Sequence, residues 1–301
     1  MKSKNREPYL LDCSGKPLDL REKPAVMGIL NITPDSFSDG GAFQEAGGET
    51  DIDLAVACAL SMLKNGATII DIGGESTRPG AEKVLAEEEI RRTIPVITEL
   101  RKKTDALISI DTYKAEVAEA ALRAGAQIVN DISGFTFDDG MPGVCSKYHA
   151  AAVLMHTPAV PGTLKWSTET QAGERNIMTL LASFFQQAIM KAECAGVHDV
   201  ILDPGFGFGK SVHENFTILG NLGRLLKLGR PLLAGVSRKS FLGHAIRKPG
   251  EPEPPPKDRH DATTAAQAIA LLNGAAVIRT HDVRAAADTA AVVGAIENIG
   301  E

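Results

Sequence analysis

The sequence predicts an α/β protein built on a closed (β/α)8 TIM barrel, with a β-hairpin ahead of it. Eight short apolar segments each end at or near a polar residue, and most are separated by an amphipathic segment long enough for a helix. Strands that alternate with helices form parallel sheets covered on both faces. Eight such units in 301 residues match one barrel, so we expect a single domain over 1–301, with the barrel at about 25–297.

The hairpin is predicted from residues 9–20, where two short strand-like segments flank Ser14 and Gly15. We expect it to close the lower end of the barrel. The eight barrel strands are predicted to end at or near polar residues: Asn31, Asp71, Asp111, Asp131, His156, Asp203, Lys239 and Asp282.

Helical periodicity covers seven of the segments between strands: 51–64, 87–103, 113–124, 171–195, 213–227, 261–273 and 283–297. In the first helix, a stripe from Leu54 to Met62 through Ala57, Cys58 and Ser61 is the predicted apolar face. Asp282 is a candidate cap for the last helix. Long loops follow strands 1 and 2, at 32–50 and 73–86, and a proline- and charge-rich linker at 248–261 leads into the helix predicted at 261–273.

Composition restricts the class of partner. The formal net charge is −6, which gives nucleic acid or an anionic membrane no general electrostatic attraction. The four cysteines form no CxxC pair, as is typical of unpaired thiols in a reducing compartment. The first ten residues contain no apolar signal segment, and we expect a cytoplasmic protein.

Four polar residues are predicted to converge on one pocket, because they lie near the ends of strands 3, 4, 6 and 7: Asp111, Asn130, Asp203 and Lys239. Carboxylates, an amide and an ammonium group suit a flat heterocycle with donors and acceptors on its edge. The alternative is that each side chain satisfies a neighbouring strand or caps a helix.

Arg279 and His281 alternate along the eighth strand, so they are expected to share one face. Arginine binds phosphate oxygens through its planar fork, and loops after strands 7 and 8 are the usual phosphate site of such barrels. The alternative is a structural ion pair between Arg279 and Asp282. The glycine-rich run 203–211 does not fit a Walker A motif, because Pro204 stands where glycine is required.

Seven motifs in order resemble the dihydropteroate synthase family of pterin-binding enzymes, which sulfonamides inhibit. They are MGILNITPDSFSDGG, DIGGESTRPGA, SIDTYKAEVAEAAL, NDISG, ILDPGFGFGK, GVSRKSFLG and IRTHDV. The resemblance implies a transferase that condenses 6-hydroxymethyl-7,8-dihydropterin diphosphate with p-aminobenzoate. The products would be 7,8-dihydropteroate and diphosphate.

The resemblance also implies residue roles. Asp111, Asn130, Asp203 and Lys239 would bind the pterin, and Arg279 and His281 the diphosphate. Asn31 would ligate Mg2+ bound to the diphosphate. In the two long loops, Asp35 and Phe37 would close over the site, Thr77 and Arg78 would lie against substrate, and Pro79 would border the p-aminobenzoate pocket with Ser237. Asp35, Lys239, Arg279 and His281 are the catalytic candidates, and a homodimer through the late helices is expected.

Two other functions compete with this one. A methyltetrahydrofolate-binding corrinoid methyltransferase domain explains Asp111, Asn130 and Asp203, but it gives Asn31, Arg279 and His281 no role. A non-catalytic pterin-binding protein leaves the intact loop motifs unexplained. The proline-rich insertion at 248–256 departs from the family pattern without interrupting a motif.

Overall fold

The computed structural model describes residues 8–33, 51–77, 81–160, 163, 165–170 and 176–297. Within these residues, eight parallel strands close into a barrel, which confirms the predicted TIM-barrel fold. The barrel strands are β3 (Ala25–Asn31), β4 (Ile69–Gly73), β5 (Leu107–Asp111), β6 (Ile128–Asp131), β7 (Ala151–Met155), β8 (Val200–Asp203), β9 (Leu232–Ala234) and β10 (Ala275–Thr280). Each pairs with its neighbour in chain order, and β10 closes the ring by pairing with both β9 and β3.

Helices cover the outside of this barrel. They are α1 (Ile52–Lys64), α2 (Ala86–Lys103), α3 (Ala115–Ala124), α4 (Met141–Lys147), α5 (Ile177–Cys194), α6 (Val212–Asn221), α7 (Ser240–Ile246), α8 (His260–Leu272) and α9 (Val283–Glu297). Among the described residues, two 3-10 segments, Leu222–Leu228 and Pro256–Arg259, also lie between barrel strands. No helix in the described ranges is long and apolar enough to cross a membrane.

The N-terminal hairpin is confirmed, with β1 (Leu10–Cys13) antiparallel to β2 (Lys16–Asp19). Its inward residues Leu11, Cys13 and Leu18 are buried in one cluster with residues from the early part of the barrel strands, such as Met27 and Ile69. In a parallel barrel, the interior side chains at the amino-terminal ends of the strands would be open to water. The hairpin covers this end of the barrel and removes those apolar side chains from solvent.

Two helices were absent from the prediction, α4 and α7, and both have only seven residues. Two turns are too short to establish a helical period, and Pro142, Gly143 and Gly243 are poor helix formers. Their stability comes from burial, since Met141, Cys145 and Phe241 are fully buried. The predicted helix at 213–227 is α6 followed by the first 3-10 segment.

The predicted apolar face of α1 is confirmed only in part, because Cys58 and Met62 pack against the core but the other three residues do not. Leu54 is 40% exposed, and the buried side chains of this helix are Ala55, Val56 and Ala59. The space between α1 and β3 is narrow, because a methyl group added at Gly28 would lie only 2.9 Å from the Met62 sulfur. Met62, a member of the predicted face, therefore packs directly against the backbone of Gly28. The four cysteines are free, as expected, although Cys194 on α5 is exposed.

The predicted strand ends are confirmed for Asn31, Asp111, Asp131 and Asp203, which close β3, β5, β6 and β8. The seventh barrel strand is shorter than predicted. It ends at Ala234, so Lys239 lies in a loop, at the residue that precedes α7. The residues that follow Ala234 form the loop 235–239, which bears directly on the site.

The lower end of the barrel should contribute stability and not activity. Leu18→Ala should lower the free energy of unfolding by about 2–5 kcal/mol, since the side chain is 1% exposed and its removal leaves a cavity. Leu10→Ala is the matched control on the same hairpin, because Leu10 is 54% exposed. Chemical denaturation measures both variants. Equal stability of the two would contradict the role of the hairpin as a plug.

Candidate active site

Polar side chains from five strands meet at the carboxyl end of the barrel. They are Asp71 on β4, Asp111 on β5, Asn130 on β6, Asp203 on β8 and Arg279 on β10. Adjacent strands bring Asp111 level with Asn130. All are buried or nearly so, which makes this end of the barrel a desolvated cluster of charges.

Arg279 joins two of the carboxylates. Its Nε donates to Asp71 Oδ2 at 2.6 Å, and its Nη2 donates to Asp111 Oδ2 at 2.5 Å. Asn130 Nδ2 donates to the same Asp71 oxygen at 3.0 Å. The guanidinium of Arg279, on β10, is thus held by carboxylates on β4 and β5. The alternative ion pair between Arg279 and Asp282 does not form. Asp282 instead caps α9 through Ala285 N–H and contacts His260.

The other oxygens of the two carboxylates remain available. Asp71 Oδ1 and Asp111 Oδ1 are buried and have no hydrogen-bond partner among the described residues. Buried polar atoms are normally satisfied, so such orphaned acceptors at a cluster of strand ends indicate that a ligand with donor groups binds there. Asp71 belonged to no predicted site. Its signal in the sequence is a single carboxylate inside the apolar segment ATIIDIGG.

Desolvation changes the ionisation of this cluster. Burial raises the pKa of Asp111 to about 7, and the positive charge of Arg279 offsets only part of the effect. Burial also raises the pKa of Asp203 above its ordinary value, opposed by the Gly205 N–H and by Lys239. For Arg279, burial disfavours the charge, but Asp71 and Asp111 outweigh it and the pKa lies above the usual range.

The glycine-rich loop after β8 orients Asp203. Gly205 N–H donates to Asp203 Oδ1 at 2.7 Å, in a backbone conformation with φ +69°. Lys210 is fully buried beneath this loop, where its ammonium donates to the carbonyls of His156, Gly205 and Phe208 at 2.9–3.1 Å. Lys210, which lies in the glycine-rich run 203–211, therefore holds the backbone of this loop in place.

Lys239 reaches the same loop from the other side. Its Nζ lies 4.2 Å from the centre of the Phe208 ring. Gly207, at φ +79°, allows the contact, since a Cβ there would lie 2.8 Å from Lys239 Cδ. Two residues earlier, Ser237 Oγ lies 3.0 Å from His281 Nδ1. Arg279 and His281 are thus both at the site, but they contact different partners.

The second long loop is anchored at its base by a buried ionic cluster that the sequence did not predict. Lys114 contacts the carboxylates of Glu75 and Glu89, and Tyr113 donates to Glu75 Oε1 at 3.1 Å. Burial raises the pKa of Glu89, which the charge of Lys114 opposes. Thr77, two residues beyond Glu75, is half-buried. The predicted site residues Asp35, Phe37, Arg78 and Pro79 lie outside the described residues.

Asn31 ends β3 on the side of the mouth that Arg279 and Asp111 occupy. Its Oδ1 and the Asp111 side chain both lie within 4 Å of the position that a Cβ on Gly73 would take. Glycine at this point lets the amide and the carboxylate approach each other. Of the predicted residues that the structure describes, each one is at this end of the barrel.

The model of a family described as pterin-binding enzymes matches residues 27–281. The chain belongs to this family. A dihydropteroate synthase from Synechocystis sp. is 44% identical over 280 residues, which are 92% of each chain. The chain is thus a transferase of the dihydropteroate synthase group.

Solved structures of relatives agree in fold. A Xanthomonas albilineans dihydropteroate synthase with 4-aminobenzoic acid superposes with a TM-score of 0.84 at 39% identity, covering 97% of this chain and 99% of the other. The enzyme from the same organism in complex with 7,8-dihydropteroate gives a TM-score of 0.81 at 38% identity, covering 96% and 99%.

The raised pKa of Asp111 makes stability depend on pH. Its pKa is about 7 in the folded protein and near 3.8 in the unfolded chain, so the folded state holds the proton more tightly. This contribution to stability is complete below pH 4 and is lost as the pH rises through 7. Asp111→Asn removes it, so stability relative to wild type should rise between pH 4 and 7 by at most about 1.4 kcal/mol per pH unit.

Urea denaturation at a series of pH values measures this difference. Asp105→Asn serves as the control, because the Asp105 side chain is fully exposed. If the wild type and Asp111→Asn gave parallel curves, Asp111 would not take up a proton on folding.

Proposed function

We propose that this chain condenses 6-hydroxymethyl-7,8-dihydropterin diphosphate with p-aminobenzoate to form 7,8-dihydropteroate and diphosphate. The observation that carries the proposal is the buried Asp71–Arg279–Asp111 bridge beside Asp203 at the barrel mouth. It combines acceptors for the edge of a heterocycle with a fixed cation for a leaving anion. Relatives that bind 4-aminobenzoic acid and 7,8-dihydropteroate support the choice of substrates.

The pterin would lie against Asp203, Asn130, Asp111 and Lys239. Gly205 N–H holds one oxygen of Asp203, and this contact orients the carboxylate towards the amino and ring N–H groups of the pterin. The unpartnered Oδ1 of Asp111 would accept a further N–H. Gly235 lies beside this carboxylate, since a Cβ there would lie at an ordinary contact distance of 3.7 Å from Asp203 Oδ2.

The diphosphate would lie against Arg279 and His281. Arg279 is held rigidly by two carboxylates, so it stabilises the growing charge without having to reorganise. His281 adds a ring donor whose orientation is fixed by Ser237. Thr77 and Arg78 in the second loop would also hold the substrate.

Mg2+ is the expected cofactor, and the donor set fits it. Asn31 offers an amide oxygen, which a hard cation accepts, beside the Asp111–Arg279 pair. In the ranges that the structure describes, no group of three or more His, Cys, Asp or Glu could hold a metal. A single protein ligand suits an ion that arrives on substrate phosphates. Such an ion supplies charge neutralisation for the departing diphosphate.

The reaction would follow an SN1-like path. The bond between the pterin methylene carbon and the diphosphate oxygen breaks, and its electron pair leaves with the diphosphate. The neutral aryl amine then forms the new C–N bond and loses a proton. Asp35 and Phe37 in the first loop, with Pro79 and Ser237 beside p-aminobenzoate, would keep water from capturing the cation.

We also propose a cytoplasmic homodimer. The four free cysteines suit a reducing compartment. Helices α8 and α9 pack together and expose four large apolar side chains, Ile269, Leu272, Val292 and Ile296. A second copy would bury this face.

A diphosphate-release assay tests the proposed function. Wild type should release diphosphate rapidly when both the dihydropterin substrate and p-aminobenzoate are present. Without p-aminobenzoate, release should be slow. Arg279→Lys keeps the charge that Asp71 and Asp111 require but loses the fork, so turnover should fall on the order of 10²–10³-fold. Arg284→Lys is the control, an exposed arginine on α9.

Turnover by wild type that does not depend on p-aminobenzoate, or none at all, would reject the synthase function. The methyltransferase and the non-catalytic alternatives both predict no diphosphate release. Normal turnover by Arg279→Lys would reject only the leaving-group role of Arg279.

Asp203→Asn tests the pterin pocket. The amide keeps the shape of the carboxylate but presents a donor towards donors on the pterin. A charge-assisted hydrogen bond contributes about 1.5–3 kcal/mol, so the dissociation constant for the pterin substrate should rise at least about tenfold. Calorimetric titration with the pterin measures it, and equal affinity would remove Asp203 from the pocket. Asp199→Asn is a control at the opposite end of β8.

A further inference from the structure

The loop 235–239 between β9 and α7 contains an unfavourable backbone conformation. Arg238 has φ +59°, in the left-handed region that residues with a Cβ disfavour. Ser237 and Lys239 lie on either side of it and face different parts of the site. Ser237 contacts His281, and the Lys239 stem packs against Gly207. A return of Arg238 to an ordinary conformation would therefore displace both side chains.

Both backbone polar groups of Arg238 are held by the start of α8. Arg238 N–H donates to Thr263 Oγ1 at 3.0 Å, and Arg259 Nη1 donates to Arg238 O at 3.0 Å. The Thr263 hydroxyl in turn donates to Arg259 O at 2.8 Å. The strained residue is thus fixed from two sides by two residues that are themselves linked.

Arg259 is fixed by the proline-rich segment. It is only 8% exposed, and its Nε donates to Pro254 O at 2.8 Å. Gly243 on α7 closes the other side, since a Cβ there would lie 2.6 Å from Arg259 Nε. Proline has a fixed φ, so residues 252–256, PEPPP, present the Pro254 carbonyl with little conformational freedom. The predicted linker is therefore mostly exposed but makes this one defined contact.

We propose that Arg259 and Thr263, supported by the proline-rich segment 248–256, are positioning residues that hold Ser237 and Lys239 against the substrates. The inference rests on the proposed function, because it gives those two side chains their ligands. Neither Arg259 nor Thr263 touches substrate. Their effect passes through the conformation of Arg238.

Substitutions at Thr263 separate this role from a general effect on folding. Thr263→Val keeps the shape and removes the acceptor, whereas Thr263→Ser keeps the hydroxyl. Thr264→Val is the matched control, since Thr264 on the same helix bonds back to the His260 carbonyl. In the full chain, Thr263→Val should raise KM for both substrates about tenfold, and Thr263→Ser and Thr264→Val should leave it unchanged.

Displacing the guanidinium gives a second, independent test. Gly243→Ala pushes Arg259 away without removing a hydrogen-bonding group, so it should raise KM for both substrates as Thr263→Val does. Gly220→Ala is the matched control on α6, where an added methyl meets nothing within 4 Å. A lower melting temperature with unchanged KM in both Thr263→Val and Gly243→Ala would overturn the proposal.

Hydrogen exchange tests the inference without measuring activity. If wild type proves inactive, the proposed synthase function is rejected, but the positioning role of Thr263 can still be tested in this way. Amides of residues 236–240 should exchange faster in Thr263→Val than in Thr263→Ser or wild type. Equal exchange in the three proteins would overturn the positioning role whatever the activity.

Discussion

The ion bridge from Asp71 through Arg279 to Asp111 is the interaction on which the mouth of the barrel depends. Two carboxylates buried side by side repel each other, and a guanidinium buried alone would lose its hydration. Pairing offsets part of these costs, with Nε–O and Nη2–O distances of 2.6 and 2.5 Å. Removing Arg279 would leave two buried carboxylates without a counter-charge, so a change at this residue alters the site and the local stability together.

The bridge also couples the two halves of the proposed substrate. Asp111 shares one oxygen with Arg279, and its other oxygen has no partner among the described residues. A pterin N–H on that second oxygen would favour the ionised carboxylate, whose pKa burial has raised to about 7. An ionised Asp111 holds Arg279 more firmly. Binding of the heterocycle would therefore fix the orientation of the guanidinium.

The sequence predicted those features of the fold and the site that depend on local patterns of apolar and polar residues. The apolar segments gave the eight strands, and Asp111, Asn130 and Asp203 followed because parallel strands end at one edge. Asp71 and Lys114 could not be predicted in this way. Asp71 acquires its role from Asn130 and Arg279, which lie 59 and 208 residues away, and Lys114 from Glu75, 39 residues away.

Two local predictions were also inexact. Lys239 was placed at a strand end because the run PLLAGV looks like one apolar strand, whereas β9 ends at Ala234. The apolar face of α1 was predicted only in part, since the chosen stripe included Cys58 and Met62 but missed the buried Ala55, Val56 and Ala59.

Three buried cations whose contacts the sequence did not predict, Lys114, Lys210 and Arg259, share one physical task. Where a strand of the barrel ends, the chain leaves the ladder and its carbonyls or acidic side chains lose their partners. Each of three loops at the mouth is anchored at that point by a buried cation that reaches several acceptors. Lys114 serves the loop after β4, Lys210 the loop after β8, and Arg259 the loop after β9. A long cationic side chain can satisfy two or three acceptors at once, which a hydroxyl cannot. The bases of these three loops are thereby fixed where the chain leaves the barrel.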